Sequence, residues 1–172
     1  MLFALGLRLL LLGILIEPVR AAPDALASRV MQAYDASEYA RLAQNMVEQG
    51  VYSFRAQPPY EVLLNRTPGY PALLALLYGL AGGQHDALLI VAVQALLSLA
   101  SLWLVMGIAR DIGGERVALL SGWLYAVAPA AYFMIAQAYT ETFFGTALLL
   151  ALRFGVALLS GWLYAVAPAA YF

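Results

Sequence analysis

Residues 87–136 read ALLIVAVQALLSLASLWLVMGIARDIGGERVALLSGWLYAVAPAAYFMIA, and their reading decides the fold. Ala87–Ala109 is apolar apart from Gln94 and small polar residues. Arg110–Arg116 carries two arginines and two acids, and Val117–Ala136 is apolar again. About 20 helical residues cross the ~30 Å hydrocarbon core of a bilayer, so two crossings joined by a short charged turn are expected. Arginines in a short loop favour the cytoplasmic side. The first crossing then runs inward and the second outward, which leaves the stretch from Glu17 to Asp86 and the turn Gln137–Glu141 on the outer face.

Composition agrees with a lipid-facing chain. Of 172 residues, 64% are hydrophobic and 11% charged, against about 25% charged in a soluble domain; the mean hydropathy is +0.81. These values exclude an ordinary water-soluble domain, a disordered tail and a fibre. All nine cations are arginine and the net charge is −1, so no basic stripe exists for a nucleic acid partner. Cysteine is absent, which removes disulfides and thiolate metal sites, and the single histidine, His85, builds no His-rich metal site by itself. The expected fold is all-α: one membrane-embedded domain over residues 1–172, a multi-pass transmembrane helical bundle with interfacial amphipathic helices in a long first outer loop.

Three further runs need separate readings. Leu2–Ile16 is apolar except for Arg8. It reads as a membrane anchor or as a secretory signal peptide, and Pro18 and Arg20, standing where a cleavage site wants small neutral residues, favour the anchor. Ala72–Ala81 covers only about 15 Å as a helix and is expected to lie at the interface or to be re-entrant. Val117–Phe133, VALLSGWLYAVAPAAYF, recurs without a change as Val156–Phe172, while the flanking residues differ. An unaltered duplicate points to recombination or an assembly error, not to a diverged structural repeat. Thr142–Leu152, just before it, is too short to span alone, so the second copy either completes that helix or packs as a surplus one.

Polar clusters collect in the outer segments. In YDASEYARLAQNMVEQG (34–50), Tyr39, Leu42, Ala43, Met46 and Val47 recur at helical spacing, with polar residues opposite and Gly50 at the end. This amphipathic helix suits the membrane interface. Asp35 stands at the N-cap position with Glu38 three residues on, a capping box. An Asp fixed at a helix start is also placed to accept a proton from a reacting hydroxyl. NRTPGYP (65–71) is a rigid turn whose Pro71 starts the next helix; its Arg66 and Tyr70 are interfacial residues, or Arg66 presents its planar fork to an anionic head group. Glu141, in AYTETFF, lies at a membrane boundary as a helix cap or a site residue. Gln94 is expected to bond a neighbouring helix, His85 and Asp86 to start one, and Trp103, Trp123 and Trp162 to serve packing or the interfacial belt.

Taken together, YDASEYARLAQNMVEQGVYSF, RTPGYPALLALLYGLAGG, VQALLSLASLWLVMGIARDIGGERVALLSGWLYAVAPAAYF and TETFF, in that order over roughly residues 33–154, resemble the GT-C superfamily of membrane glycosyltransferases. The resemblance is to the branch of protein O-mannosyltransferases, aminoarabinose transferases and Rgt-like enzymes. It implies inverting transfer of a sugar from a polyprenyl-phosphate donor to an acceptor hydroxyl on a glycan, lipid or protein, at the periplasmic face of a bacterial inner membrane. Under it Asp35 is the general base, and Arg66, Tyr70, Glu38 and Glu141 are substrate-binding, with Arg66 on the donor phosphate. Some relatives use a divalent metal, which these residues neither demand nor exclude. Family members are longer, so the chain is expected to be an N-terminal fragment, with an inactive truncated piece of the enzyme as an alternative reading. The rival from another class is a transporter or assembly scaffold. A transporter places polar groups on broken helices at mid-membrane, whereas here only Gln94 lies deep.

Overall fold

A computed structural model describes residues 34–61, 63, 66–83, 86–129, 135 and 140–166, together with 6, 7, 9, 10, 13 and 14. Most of the Leu2–Ile16 run, Asn65, His85, Tyr139, the Trp162 side chain and residues 167–172 lie outside the described residues, and with them the choice between anchor and signal peptide. Four long helices make up the rest: α1 (Tyr34–Gln49), α2 (Gly69–Leu80), α3 (Ala87–Val127) and α4 (Thr140–Val166). No strand occurs among the described residues.

The amphipathic segment folds as read, with a different use for its apolar face. Ala36, Tyr39, Leu42 and Ala43 are buried, and the stripe packs against Tyr70, Leu74, Leu77 and Tyr78 of α2. The expectation that this face meets lipid is therefore corrected: a second helix covers it. The helix is present from Tyr34, two residues early, which puts Asp35 inside its first turn instead of at the N-cap. Gly50 closes the far end with φ 67°, a left-handed conformation that costs glycine little. Asn45, expected on the polar face, is buried and donates to the Ser53 carbonyl at 2.7 Å, folding the following loop back on α1.

α2 likewise begins early, at Gly69, so Pro71 sits within its first turn, where a missing N–H costs no intrahelical bond. Its 12 residues cover about 18 Å, short of a crossing, as the sequence indicated. Gly82 and Gly83, both at positive φ, end it, and the Gly83 N–H donates to the Tyr78 carbonyl at 2.7 Å.

α3 holds the sequence's two apolar runs, and among the described residues it is the one helix long and apolar enough to cross a membrane. Asp86 caps it, accepting from the N–H groups of Leu88 and Leu89 at 2.9 and 3.1 Å. As a straight rod its 41 residues would extend about 60 Å. It is not straight. Gly114 takes φ 76°, ψ −172° inside it, and Leu102 and Met106 pack against Tyr125 and Ala126 beyond that break. A Cβ on Gly122 would stand 2.7 Å from the Met106 sulfur. Residues 16 positions apart would be about 24 Å apart along a continuous helix, so these contacts require a hairpin that turns at Gly114. The expected loop Arg110–Arg116 is thus helical on both sides of one glycine, and Arg110 clasps Glu115 across the turn at 2.6 and 3.1 Å.

α4 is a continuous 27-residue helix. Thr142–Leu152 is therefore not left short: the helix passes Arg153 into the duplicated segment. In both copies the described helix reaches the equivalent residue, Val127 and Val166, two ahead of a proline. Between α4 and the first arm of α3 (87–113), Thr146 bonds the Leu97 carbonyl at 3.1 Å and the Ser101 hydroxyl at 2.8 Å. About two turns further along α4, Arg153 donates to the Gly107 carbonyl at 3.2 Å and pairs with Asp111. Partners advance together along both helices, so the two run parallel. The start of α4 consequently lies at the same end as Asp86, and Arg153 at the end with the Gly114 turn.

Candidate active site

Three residues singled out in the sequence, Asp35, Glu38 and Arg66, meet in one ionic cluster, and Tyr70 lies between it and the helices α3 and α4. Asp35 and Glu38 are three apart on α1, on one face, and Arg66 arrives from the turn before α2. Its Nη2 donates to Asp35 Oδ1 at 2.6 Å and its Nε to Glu38 Oε2 at 2.8 Å; Nη2 also pairs with Glu38. One guanidinium thus bridges two carboxylates, the planar-fork geometry that a lysine cannot reproduce. Arg66 further lies over the Tyr39 ring, 5.3 Å from its centroid, and its carbonyl accepts from the Tyr52 hydroxyl at 3.0 Å. The hydrogen bond to Glu38 is the largest cause that holds its pKa well above the ordinary arginine value; partial burial opposes it, and the Asp35 bond adds to it. The cation is permanent at any physiological pH.

Tyr70 links this cluster to α3 and α4. Its ring meets Tyr39 edge-on at 5.4 Å and Phe143 of α4 at 6.2 Å, with Phe144 5.8 Å beyond. Its hydroxyl accepts from Gln94 Nε2 at 3.0 Å, a buried bond that confirms the interhelical role expected of Gln94. Burial, then the Tyr78, Glu141 and Tyr39 side chains, push the Tyr70 phenol up from its ordinary pKa, so it stays protonated. The Phe143 contact places the first turn of α4 beside Tyr70, and a Cβ on Gly69 would stand 3.6 Å from the Phe143 ring.

Exposure separates the two acids. The Asp35 side chain is 50% exposed and that of Glu38 19%, so Asp35 is the carboxylate an incoming molecule reaches. Glu38, read as the second half of a capping box, instead turns to Arg66. Tyr39 was read as part of the apolar stripe and not as a site residue, and Tyr52 was not singled out. Tyr39 was legible in principle, one helical turn after Asp35, whereas Tyr52 carries no local signal because its partner lies across a loop. Among the described residues no group of three His, Asp or Glu side chains is placed to hold a metal ion.

No curated protein and no solved structure matches the chain. Residues 65–170 do match a family, a segment that includes Arg66, Tyr70 and Glu141 and begins after Asp35 and Glu38. That match covers more than half of the chain, takes in the turn before α2 and the helices that position it, and assigns the chain to the dolichyl-phosphate-mannose-protein mannosyltransferase family of membrane glycosyltransferases.

Proposed function

We propose that this chain carries the donor end of a multi-pass membrane glycosyltransferase that takes a sugar from a polyprenyl-phosphate donor and passes it, with inversion, to an acceptor hydroxyl at the outer face. The observation that carries the reading is the Arg66 bridge: a permanent cation and an accessible carboxylate side by side. The acceptor oxygen attacks the anomeric carbon as the bond from that carbon to the phosphate oxygen breaks. Asp35 takes the hydroxyl proton, and the phosphate departs with a negative charge that Arg66 stabilises.

Glu38 has a different part in this scheme. More buried than Asp35 and bonded to both Nε and Nη2, it aims the guanidinium, while Nη1 makes no bond among the described residues and faces the donor. Tyr70 and Glu141 border the site from α2 and α4. With mannose named by the family and the aminoarabinose and Rgt-like branches in the resemblance, the donor class is a polyprenyl-phosphate hexose or pentose. The bacterial inner membrane, with the site on the periplasmic side, is the setting this reading implies.

Asp35→Asn tests it. Sugar transfer from radiolabelled polyprenyl-phosphate mannose should fall by about 10²–10⁴ while membrane insertion is unchanged; near-normal turnover would remove Asp35 as the base. Arg66→Ala should weaken donor binding, and an unchanged donor affinity would remove the phosphate assignment.

A further inference from the structure

At the opposite end of the helices a second constellation of cations and aromatic surface has no part in the transfer chemistry. A cleft between the first arm of α3 and α4 is lined by Trp103, Leu104, Met106, Gly107, Arg110 and Arg153. Gly107 makes room for it: a Cβ there would already stand 3.5 Å from the Arg153 guanidinium carbon. Arg153 uses Nη1 for both the Gly107 carbonyl and Asp111, and Arg110 uses Nε and Nη2 for Glu115. Each guanidinium therefore keeps an edge, Nη2 of Arg153 and Nη1 of Arg110, without a partner among the described residues. At the cleft Arg110 pairs with Glu115 and Arg153 with Asp111, and Arg116, outside the cleft, adds one positive charge to this end.

Apolar surface leads into the cleft. Leu96 and Trp103 are exposed at 64% and 60% and fall on one line of α3, seven residues apart. An acyl chain laid along this line runs from mid-helix to the indole, and a phosphate at its end meets the two free guanidinium edges. We propose that the cleft is a binding site for an anionic glycerophospholipid, its phosphate between Arg110 and Arg153 and an acyl chain along the Leu96–Trp103 line. By the arginine bias of the turn this is the cytoplasmic leaflet, the one that carries anionic lipid for basic pockets to read. The site is distinct from the one at Asp35 and stands whether or not that one transfers sugar.

Binding of phosphatidylglycerol and of phosphatidylcholine to the purified chain, read by native mass spectrometry from mixed micelles, tests the proposal. Phosphatidylglycerol should be retained in preference. Arg110→Gln should weaken it about fivefold, and Arg116→Gln, outside the cleft, should weaken it less. Millimolar inorganic phosphate should fail to displace the lipid. Equal retention of the two lipids, an equal loss in Arg116→Gln, or displacement by inorganic phosphate would each overturn it.

Discussion

Arg66 concentrates the argument at the scale of single residues. Its two carboxylate partners lie 31 and 28 positions away in sequence, and all three are drawn together because α1 lays its apolar stripe on α2. Arg66→Ala leaves Asp35 and Glu38 facing each other without a cation, and hydrogen bonds to charged groups are worth about 1.5–3 kcal/mol; a loss of that order in thermal unfolding is expected. Arg66→Lys keeps the charge but not the fork, and should recover only part of the loss. Full recovery would mean that charge, not geometry, holds the cluster. The buried phenols of Tyr70 and Tyr78 make a pH statement of their own. Burial raises both pKa values, so the native state keeps protons that the unfolded chain releases at about pH 10. Their contribution to stability is complete below that pH and falls as pH rises above it. Phenolate absorbance from these two tyrosines should therefore appear together with unfolding and not before it. The types of the site residues were legible in the sequence, since Asp at a helix start and Arg in a proline-bounded turn are local signals. Their pairing was not, because it depends on how two helices stack.

At the scale of elements the decisive feature is the hairpin in α3. The sequence showed two apolar runs and a charged stretch, and with them the reversal of direction; it did not show that a single residue makes the turn. Arg110, Asp111, Glu115 and Arg116 read as a solvated loop, yet one Arg110–Glu115 clasp and one glycine suffice. Gly114 occupies a region of backbone conformation that is essentially reserved for glycine. Gly114→Ala should cost about 1–3 kcal/mol, read as a lower unfolding temperature, and an unchanged temperature would place the turn elsewhere. The absence of native cysteine allows a direct check. The double substitution Met106→Cys with Gly122→Cys should form an intramolecular disulfide under mild oxidation, whereas on a straight helix the two positions would be about 24 Å apart and could not. The close approach at Gly122, where a Cβ would press on Met106, was invisible beforehand because a glycine in an apolar run carries no sign of its neighbour.

Over the whole molecule, polar chemistry is divided between two ends. Asp35, Glu38, Arg66, Tyr70 and Glu141 gather where α3 and α4 begin; Arg110, Asp111, Glu115, Arg116 and Arg153 gather where the first arm of α3 turns. The division follows from parallel packing of that arm with α4, fixed by Thr146 and Arg153, and it was legible in the sequence through the arginine bias of the turn. The duplicated segment was legible as a repeat but not in its use: its second copy continues α4, while its first copy forms the returning arm of the hairpin.

The central claim is that the Asp35–Arg66 cluster and Glu141 share one membrane face, opposite the Gly114 turn. Single cysteines introduced into the cysteine-free chain, as Thr67→Cys, Glu141→Cys and Arg116→Cys, can be probed in intact cells with a membrane-impermeant maleimide. The account predicts labelling of the Thr67→Cys and Glu141→Cys chains from outside, and of the Arg116→Cys chain only after permeabilisation. Labelling of the Thr67→Cys and Glu141→Cys chains from opposite sides would contradict it.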